Sequence, residues 1–245
     1  MDPAEFVRRY AVRSLVCAWS GGRSSLAATH YTLERLKGVD VEKYVVTVDT
    51  GVMVPDAIDF VREVAEGQGW TLRILRPKVD FWQYSARYGT PGIKRRWCCK
   101  YLKLQPMFDF IKGLRLQRGV VLGFRGDERR RSRRLAPQVR YVRSIQAFYY
   151  LPIKAWTKED VRRYLKANGL PEPPWYARGI KETCACGAYM HRRELLCIKA
   201  HYPELFERLQ ALDRRRRLWG RCAFWDKGPV DLEELARQRT LDDYV

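Results

Sequence analysis

Residues 14 to 37 constrain the fold most, because a short apolar run, a glycine–serine turn and an amphipathic stretch follow one another without a break. Ser14 to Ala18 reads as a buried strand and Ser20-Gly21-Gly22-Arg23-Ser24-Ser25 as the turn after it. Leu26, Thr29, Leu33 and Leu36 then recur at helical spacing from Ser25 to Lys37. A strand of this kind is buried only inside a sheet, and the rest of the chain supplies one.

Tyr44 to Val48 reads as the next strand, ending at Asp49-Thr50-Gly51, and Pro55-Asp56 opens a helix running to about Glu66. Strands over Trp70 to Leu75, Gly119 to Gly123 and Phe148 to Ile153 follow, with a helix over Leu102 to Leu114 between the first two. A first helix from Pro3 to about Arg13 has Asp2 as its cap, and Thr157 with Asp160 has the spacing of a capping box ahead of Val161 and Leu165. The rhythm predicts an α/β fold, a parallel sheet with helices on both faces. Lys78 to Trp97 reads as a partly ordered, aromatic and basic surface segment, and Asp127 to Arg134 as an arginine-rich loop. Beyond Pro171 to Pro174 the composition changes. We expect a core domain over 1–175 and a cysteine-rich, basic, mainly helical region over 176–245, with helices near His191 to Lys199 and Glu204 to Arg217, docked on the core.

A formal net charge of +19 draws in polyanions, nucleic acid first among them, although basic charge also serves solubility alone. The charge is blocked at Lys94 to Arg96, Arg129 to Arg134 and Arg214 to Arg217. Trp82, Tyr84, Tyr88 and Trp97 are interleaved with Arg87, Lys94, Arg95 and Arg96, a pattern that suits either base stacking or a stabilising aromatic surface. Asn168 is the only asparagine and arginine is abundant, which suggests a warm-growing source. The chain has no apolar run of membrane-spanning length, and its first fifteen residues carry acids and lack an apolar signal core, so a cytoplasmic location is expected.

The turn Ser20 to Ser25 is suited to phosphate. Two glycines let the backbone approach an anion, the following helix offers N–H groups and a positive dipole end, and Ser20, Ser24, Ser25 and Arg23 add donors and charge. The turn is too short for GxxxxGK[ST] and lacks GxGxxG. It resembles the SGGKDS loop of the adenine nucleotide alpha-hydrolases, or PP-loop ATP pyrophosphatases: Ser20, Gly21, Gly22 and Ser25 match, while Arg23 and Ser24 replace lysine and aspartate.

The resemblance sharpens toward the phosphoadenylylsulfate (PAPS) reductase family. Asp49-Thr50-Gly51 through Pro55 is similar to its DTGxxFP segment, and Arg96-Trp97-Cys98-Cys99 with Lys103 and Pro106 to RWC...K..P. Gly123-Phe124-Arg125-Gly126-Asp127-Glu128 resembles GxRxxES, with Arg129 in place of serine, and Pro152-Ile153 with Trp156 resembles PI..W. The resemblance implies a Rossmann-like fold of the HUP type and a nucleotide site on Ser20 to Ser25 with Asp49, Thr50 and Gly51. It also implies ATP or a related adenine nucleotide as ligand, with Mg²⁺ held through phosphates if ATP is cleaved. Arg125, Lys103 and Arg129 would neutralise phosphate or sulfonate oxygens.

Seven cysteines form the second constellation. Assimilatory reductases of this family hold a four-iron cluster through a CC pair and a later CxxC. The present chain has Cys98-Cys99 and then Cys184-Ala185-Cys186, one residue short. We expect a [4Fe-4S] cluster on Cys98 or Cys99 with Cys184, Cys186 and Cys197, with structural zinc, disulfides or free thiols as alternatives. Cys222 is a candidate nucleophile or persulfide carrier or else a plain semi-buried cysteine, and Cys17 is core.

Three functions stay open. One is ATP-dependent adenylation of a substrate for sulfur transfer, with tRNA as acceptor and a sulfur- or electron-donor protein as partner. Another is a sulfonucleotide reductase forming sulfite, against which stands the lack of an ECGLH segment. The third is a noncatalytic adenine-nucleotide-binding protein, and self-association into a homo-oligomer is compatible with each.

Overall fold

A computed structural model describes residues 1–92, 95–127, 137–217 and 232–237. Its contacts divide the chain into two compact units. The first takes Met1–Val48, Asp59–Leu75 and Met107–Pro173; the second takes Asp49–Ile58, Arg76–Pro106 and Pro174–Val245. The last segment of the second unit thus begins where the composition changes. This unit also includes the stretches that directly follow the second and third strands.

The first unit contains a six-stranded sheet: β1 (Ser14–Ala18), β2 (Glu42–Val48), β3 (Leu72–Leu75), β4 (Arg118–Leu122), β5 (Val139–Val142) and β6 (Ala147–Tyr150). The order is β3-β2-β1-β4-β6-β5, parallel throughout except for β5, which pairs antiparallel with β6. Val16, Val46 and Val120 stand on neighbouring strands and form a core with Ile111, Ile145 and Ala147, all at most 1% exposed. β1 is flanked by β2 on one side and β4 on the other. The chain therefore winds outward from β1 in one direction and returns on its other side, and the crevice at the carboxyl ends of β1 and β4 is the switch point where such sheets bind ligands.

The helices follow their end signals. α1 (Pro3–Arg9) is capped by Asp2, whose carboxylate accepts from Ala4 N–H at 2.8 Å, and it ends four residues earlier than its apolar pattern suggests because Ala11 turns to φ 48°. α2 (Arg23–Arg35) begins two residues early, directly after Gly22. α3 (Ala57–Gly67) starts directly after Pro55-Asp56 and ends one residue past Glu66. α6 (Lys158–Ala167) carries the full capping box between Thr157 and Asp160. The antiparallel strand β5 escapes the sequence reading because it is four residues long, with exposed Arg140 and Tyr141 at its centre.

Phe81–Tyr88 is a correction in the second unit: the supposed loosely ordered segment contains a helix, α4. Asp80 caps it, accepting from Gln83 N–H at 2.8 Å, and Phe81, Tyr84 and Tyr88 recur at helical spacing. Trp97 anchors this face, with ring centroids 5.8 Å from Phe81 and 4.6 Å from Tyr84. The helix expected over Leu102 to Leu114 divides into a π-helical stretch, Cys99–Leu104, and α5 (Gln105–Gly113). α7 (Arg192–His201), α8 (Pro203–Arg217) and α9 (Leu232–Arg237) complete the second unit. Among the described residues no helix is long and apolar enough to cross a membrane.

Cys17 is the core cysteine its strand position predicts. It is fully buried in β1, and burial alone pushes its thiol up to about 12 from 9.0. The folded pKa is raised, so this thiol's contribution to stability is complete below pH 9 and is lost as the pH rises from about 9 toward about 12. Iodoacetamide at pH 8.5 is expected to leave Cys17 unmodified in the folded protein and to label it fully in denaturant, as read by peptide mass spectrometry.

Candidate functional site

The Ser20–Ser25 turn, the expected phosphate loop, lies wholly in the first unit. Gly21 has φ 83°, which glycine adopts without strain, and Gly22 is the N-cap of α2 with no side chain capping the helix. No acid sits in the first turn. The loop is tied internally: Ser25 Oγ donates to Gly22 O at 3.0 Å, accepts from Ser20 N–H at 3.3 Å and lies 3.3 Å from Ser20 Oγ. The result is a tight turn whose amides and hydroxyls gather at the positive end of a thirteen-residue helix.

The segment after β4 completes this site. A Cβ on Gly123 would stand 2.4 Å from Ser25 Cα and 2.6 Å from both Ser24 O and Ser25 N, so the chain passes against the loop with no room for a side chain. Gly126 is held on the other side, its N–H donating to Lys154 O at 2.7 Å. Arg125 donates from Nη1 to Ser24 Oγ and from Nε to Asp127 Oδ1 at 2.9 Å, while Asp127 Oδ2 accepts from Lys158 N–H at 3.2 Å. Its guanidinium, with only 15% of the side chain exposed, is therefore fixed at the first turn of α2. Arg23 pairs with Glu172. Of the first unit's expected residues, Ser20 to Ser25 and Arg125 come together; Gly123, Asp127 and Glu172 join them.

Asp49, Thr50 and Gly51 fall in the second unit. Asp49 Oδ1 accepts from Gly51 N–H at 3.0 Å, Gly51 has φ 70°, and Arg76 Nε lies 3.5 Å from Asp49 Oδ2. Thr50 Oγ1 is 3.7 Å from Cys184 Sγ. This segment pairs with the cysteine segment through an isolated bridge: Ala185 N–H donates to Val52 O at 2.8 Å and Val54 N–H to Thr183 O at 2.9 Å. The DTG residues thereby border the thiols of the same unit.

Those thiols form a chain of contacts. Cys98 Sγ donates to Cys186 Sγ at 3.6 Å, and Cys99 and Cys184 are the neighbours that shift the titration of this pair. For Cys98 the bond to Cys186 acts downward, but the bond with Cys99 and burial push the thiol up to about 12. For Cys186 the bond with Cys184 acts downward and is outweighed by Cys98 and burial, again giving about 12. Cys184 is raised by its bond with Cys186 and by burial, whereas Cys99 is lowered, first by Cys98 and then by the charge of Lys103. Burial works to lower Lys103, yet the negative charge of Cys184, Cys186, Cys99 and Glu182 carries its pKa upward. Lys103 is thus the cation of the thiol cluster. Cys197, expected with them, is buried on α7, where a Cβ on Gly179 would meet its Sγ at 2.9 Å. Cys222 and Arg129 lie outside the described residues.

Four thiols beside an ammonium are a soft, polarisable donor set that suits iron–sulfur or zinc over a hard cation. A tetrahedral zinc, with Zn–S bonds of about 2.3 Å, sets its sulfurs roughly 3.8 Å apart. One pair here has that spacing, but among the described residues no three His, Cys, Asp or Glu side chains converge on a common ion. In number and type the four donors fit the corners of a four-iron cluster.

The sheet order and the loop at its switch point define a Rossmann-like α/β protein. The phosphoadenosine phosphosulfate reductase domain matches residues 14–209, and the chain belongs to that family. A phosphoadenosine 5'-phosphosulfate reductase of Alkalilimnicola ehrlichii is 31% identical over 173 residues, 67% of this chain and 66% of the relative. An uncharacterized protein of Methanocaldococcus jannaschii is 30% identical over 201 residues, 80% of this chain; the chain spans only 40% of that relative's length. Among solved structures, a PAPS reductase from Candida auris in a phosphate complex superposes with a TM-score of 0.55 at 20% identity, over 75% of this chain and 87% of that one. FMN adenylyltransferase of Candida glabrata, with FAD and inorganic pyrophosphate, gives 0.55 at 12% identity over 73% and 58%. Both structures share the fold.

Proposed function

We propose that the chain binds ATP at Ser20–Ser25 and transfers its AMP to an acceptor that then receives sulfur. The observation that carries this reading is the phosphate loop itself, an SGG turn capped by no side chain, with Arg125 locked to its first helical turn. Backbone amides of α2 with Arg23 would hold the β- and γ-phosphates, and Arg125 would stabilise charge developing on the α-phosphate. The acceptor is a carbonyl oxygen, for which a tRNA base is the reading that suits the +19 charge. That oxygen attacks the α-phosphorus, the bond to the bridging oxygen breaks, and pyrophosphate leaves with the electron pair. A sulfur nucleophile then adds at the activated carbon, the C–O bond breaks, and AMP leaves.

Cys98, Cys99, Cys184 and Cys186 would hold a four-iron cluster, which when bound supplies sulfide or electrons. Lys103 would offset the negative charge those sulfurs carry once deprotonated to hold the cluster. A second reading, reduction of a sulfonucleotide, is favoured by the 31% identity to a named PAPS reductase. Anaerobic product analysis separates the two. AMP and pyrophosphate formed from ATP with bulk tRNA and sulfide support adenylation; sulfite formed from PAPS or adenylyl sulfate with a dithiol reductant, and no AMP from ATP, moves the assignment to reduction.

A further inference from the structure

Arg23, which stands where the resembled SGGKDS loop has lysine, is paired with a carboxylate. Arg23, at the first position of α2, extends to Glu172 and pairs with it, both within the first unit. The Arg23 side chain is 19% exposed and that of Glu172 is 50% exposed, so the anion approaches from the solvent side. Glu172 stands between Pro171 and Pro173. Proline fixes its own φ and restricts the residue before it to extended conformations, so this short stretch holds the carboxylate in place at little entropic cost. No acid lies in the loop or in the first turn of α2. Glu172 therefore brings negative charge to the edge of the turn at Arg23, as Asp127 does at Arg125.

We infer that Glu172 is a specificity-determining counter-ion: its carboxylate occupies Arg23 in the ligand-free protein and must be displaced by the phosphates of the nucleotide. The inference rests on the reading of Ser20–Ser25 as a phosphate site. Its consequence is a preference for ligands carrying enough phosphate charge to win Arg23 from Glu172. Pyrophosphate and ATP can do so, and AMP does so poorly. An arginine suits this exchange because its fork grips carboxylate and phosphate in the same geometry, which the lysine of the family loop does not.

The test is calorimetric titration of ATP, pyrophosphate, AMP and adenosine into the wild-type chain, Glu172→Gln, Arg23→Ala and the double variant. Glu172→Gln keeps the side chain's shape at an exposed position. It is expected to tighten ATP and pyrophosphate by about threefold to fivefold, the worth of an exposed ion pair no longer given up, and AMP, whose single phosphate falls to Arg125, less than either. Adenosine is expected to stay unchanged, and in the Arg23→Ala background the second substitution is expected to do nothing. Weaker ATP binding by Glu172→Gln, or an equal gain with and without Arg23, overturns the exchange and makes Glu172 a support for the loop. ATP and pyrophosphate that bind to neither wild type nor Glu172→Gln overturn the phosphate-site reading itself, and the counter-ion role with it.

Discussion

Gly123→Ala is expected to lower ATP affinity by at least about tenfold, because the loss of even 1.4 kcal/mol of loop geometry has that effect. The added Cβ would lie 2.4 Å from Ser25 Cα and 2.6 Å from Ser24 O and Ser25 N, and all three are backbone atoms in the first turn of α2. A flexible side chain could swing away; a helix terminus cannot. Gly123 is not among the residues with positive φ, so alanine suits its backbone and the whole effect comes from crowding. Overpacking of this kind costs about 1–3 kcal/mol, and here the strain is relieved by displacing the amides proposed to hold phosphate. Gly119→Ala supplies the comparison. Its Cβ would meet Leu15 Cδ1 at 2.8 Å, Phe6 Cε1 at 3.0 Å and Val12 Cγ1 at 3.1 Å, all side-chain atoms, so a lowered melting temperature with ATP affinity retained is expected there. Equal ATP affinity for Gly123→Ala and wild type would remove the segment after β4 from the site.

The thiol chain leads to the other large effect. In protein purified without oxygen, about four iron and four sulfide per chain are expected, as four thiolate corners require. Serine at Cys98, Cys184 or Cys186 is expected to reduce iron to below about one per chain. Serine at Cys197, whose sulfur packs against Gly179 on α7, is expected to leave the iron in place. A single zinc per chain, or iron lost in Cys197→Ser and kept in Cys98→Ser, would contradict the assignment of the four sulfurs.

The strand–turn–helix at Ser14–Arg35 was legible because strand burial, glycine geometry and helix period are local and agree with each other. Thr157 with Asp160 was legible for the same reason, a cap and its partner lying three residues apart. β5 and α4 were not. One is too short and polar to show alternation, and the other hid its period among aromatic and basic residues that become a packed face only when Trp97 arrives. The site divides in the same way. Ser20 to Ser25 and Arg125 belong to motifs, whereas Gly123 as a spacer and Glu172 as a partner depend on residues about 100 and 149 positions away. Lys103 illustrates the intermediate case. Its motif marked it as a functional cation, but only the fold showed that its neighbours in the second unit are the thiols of Cys99, Cys184 and Cys186.

Competition between ATP and inorganic pyrophosphate for the wild-type chain, read by calorimetry at fixed ionic strength, tests the phosphate loop most directly. Each is expected to bind at a single site and to exclude the other. ATP binding that pyrophosphate leaves unchanged, or no binding of either, would contradict it.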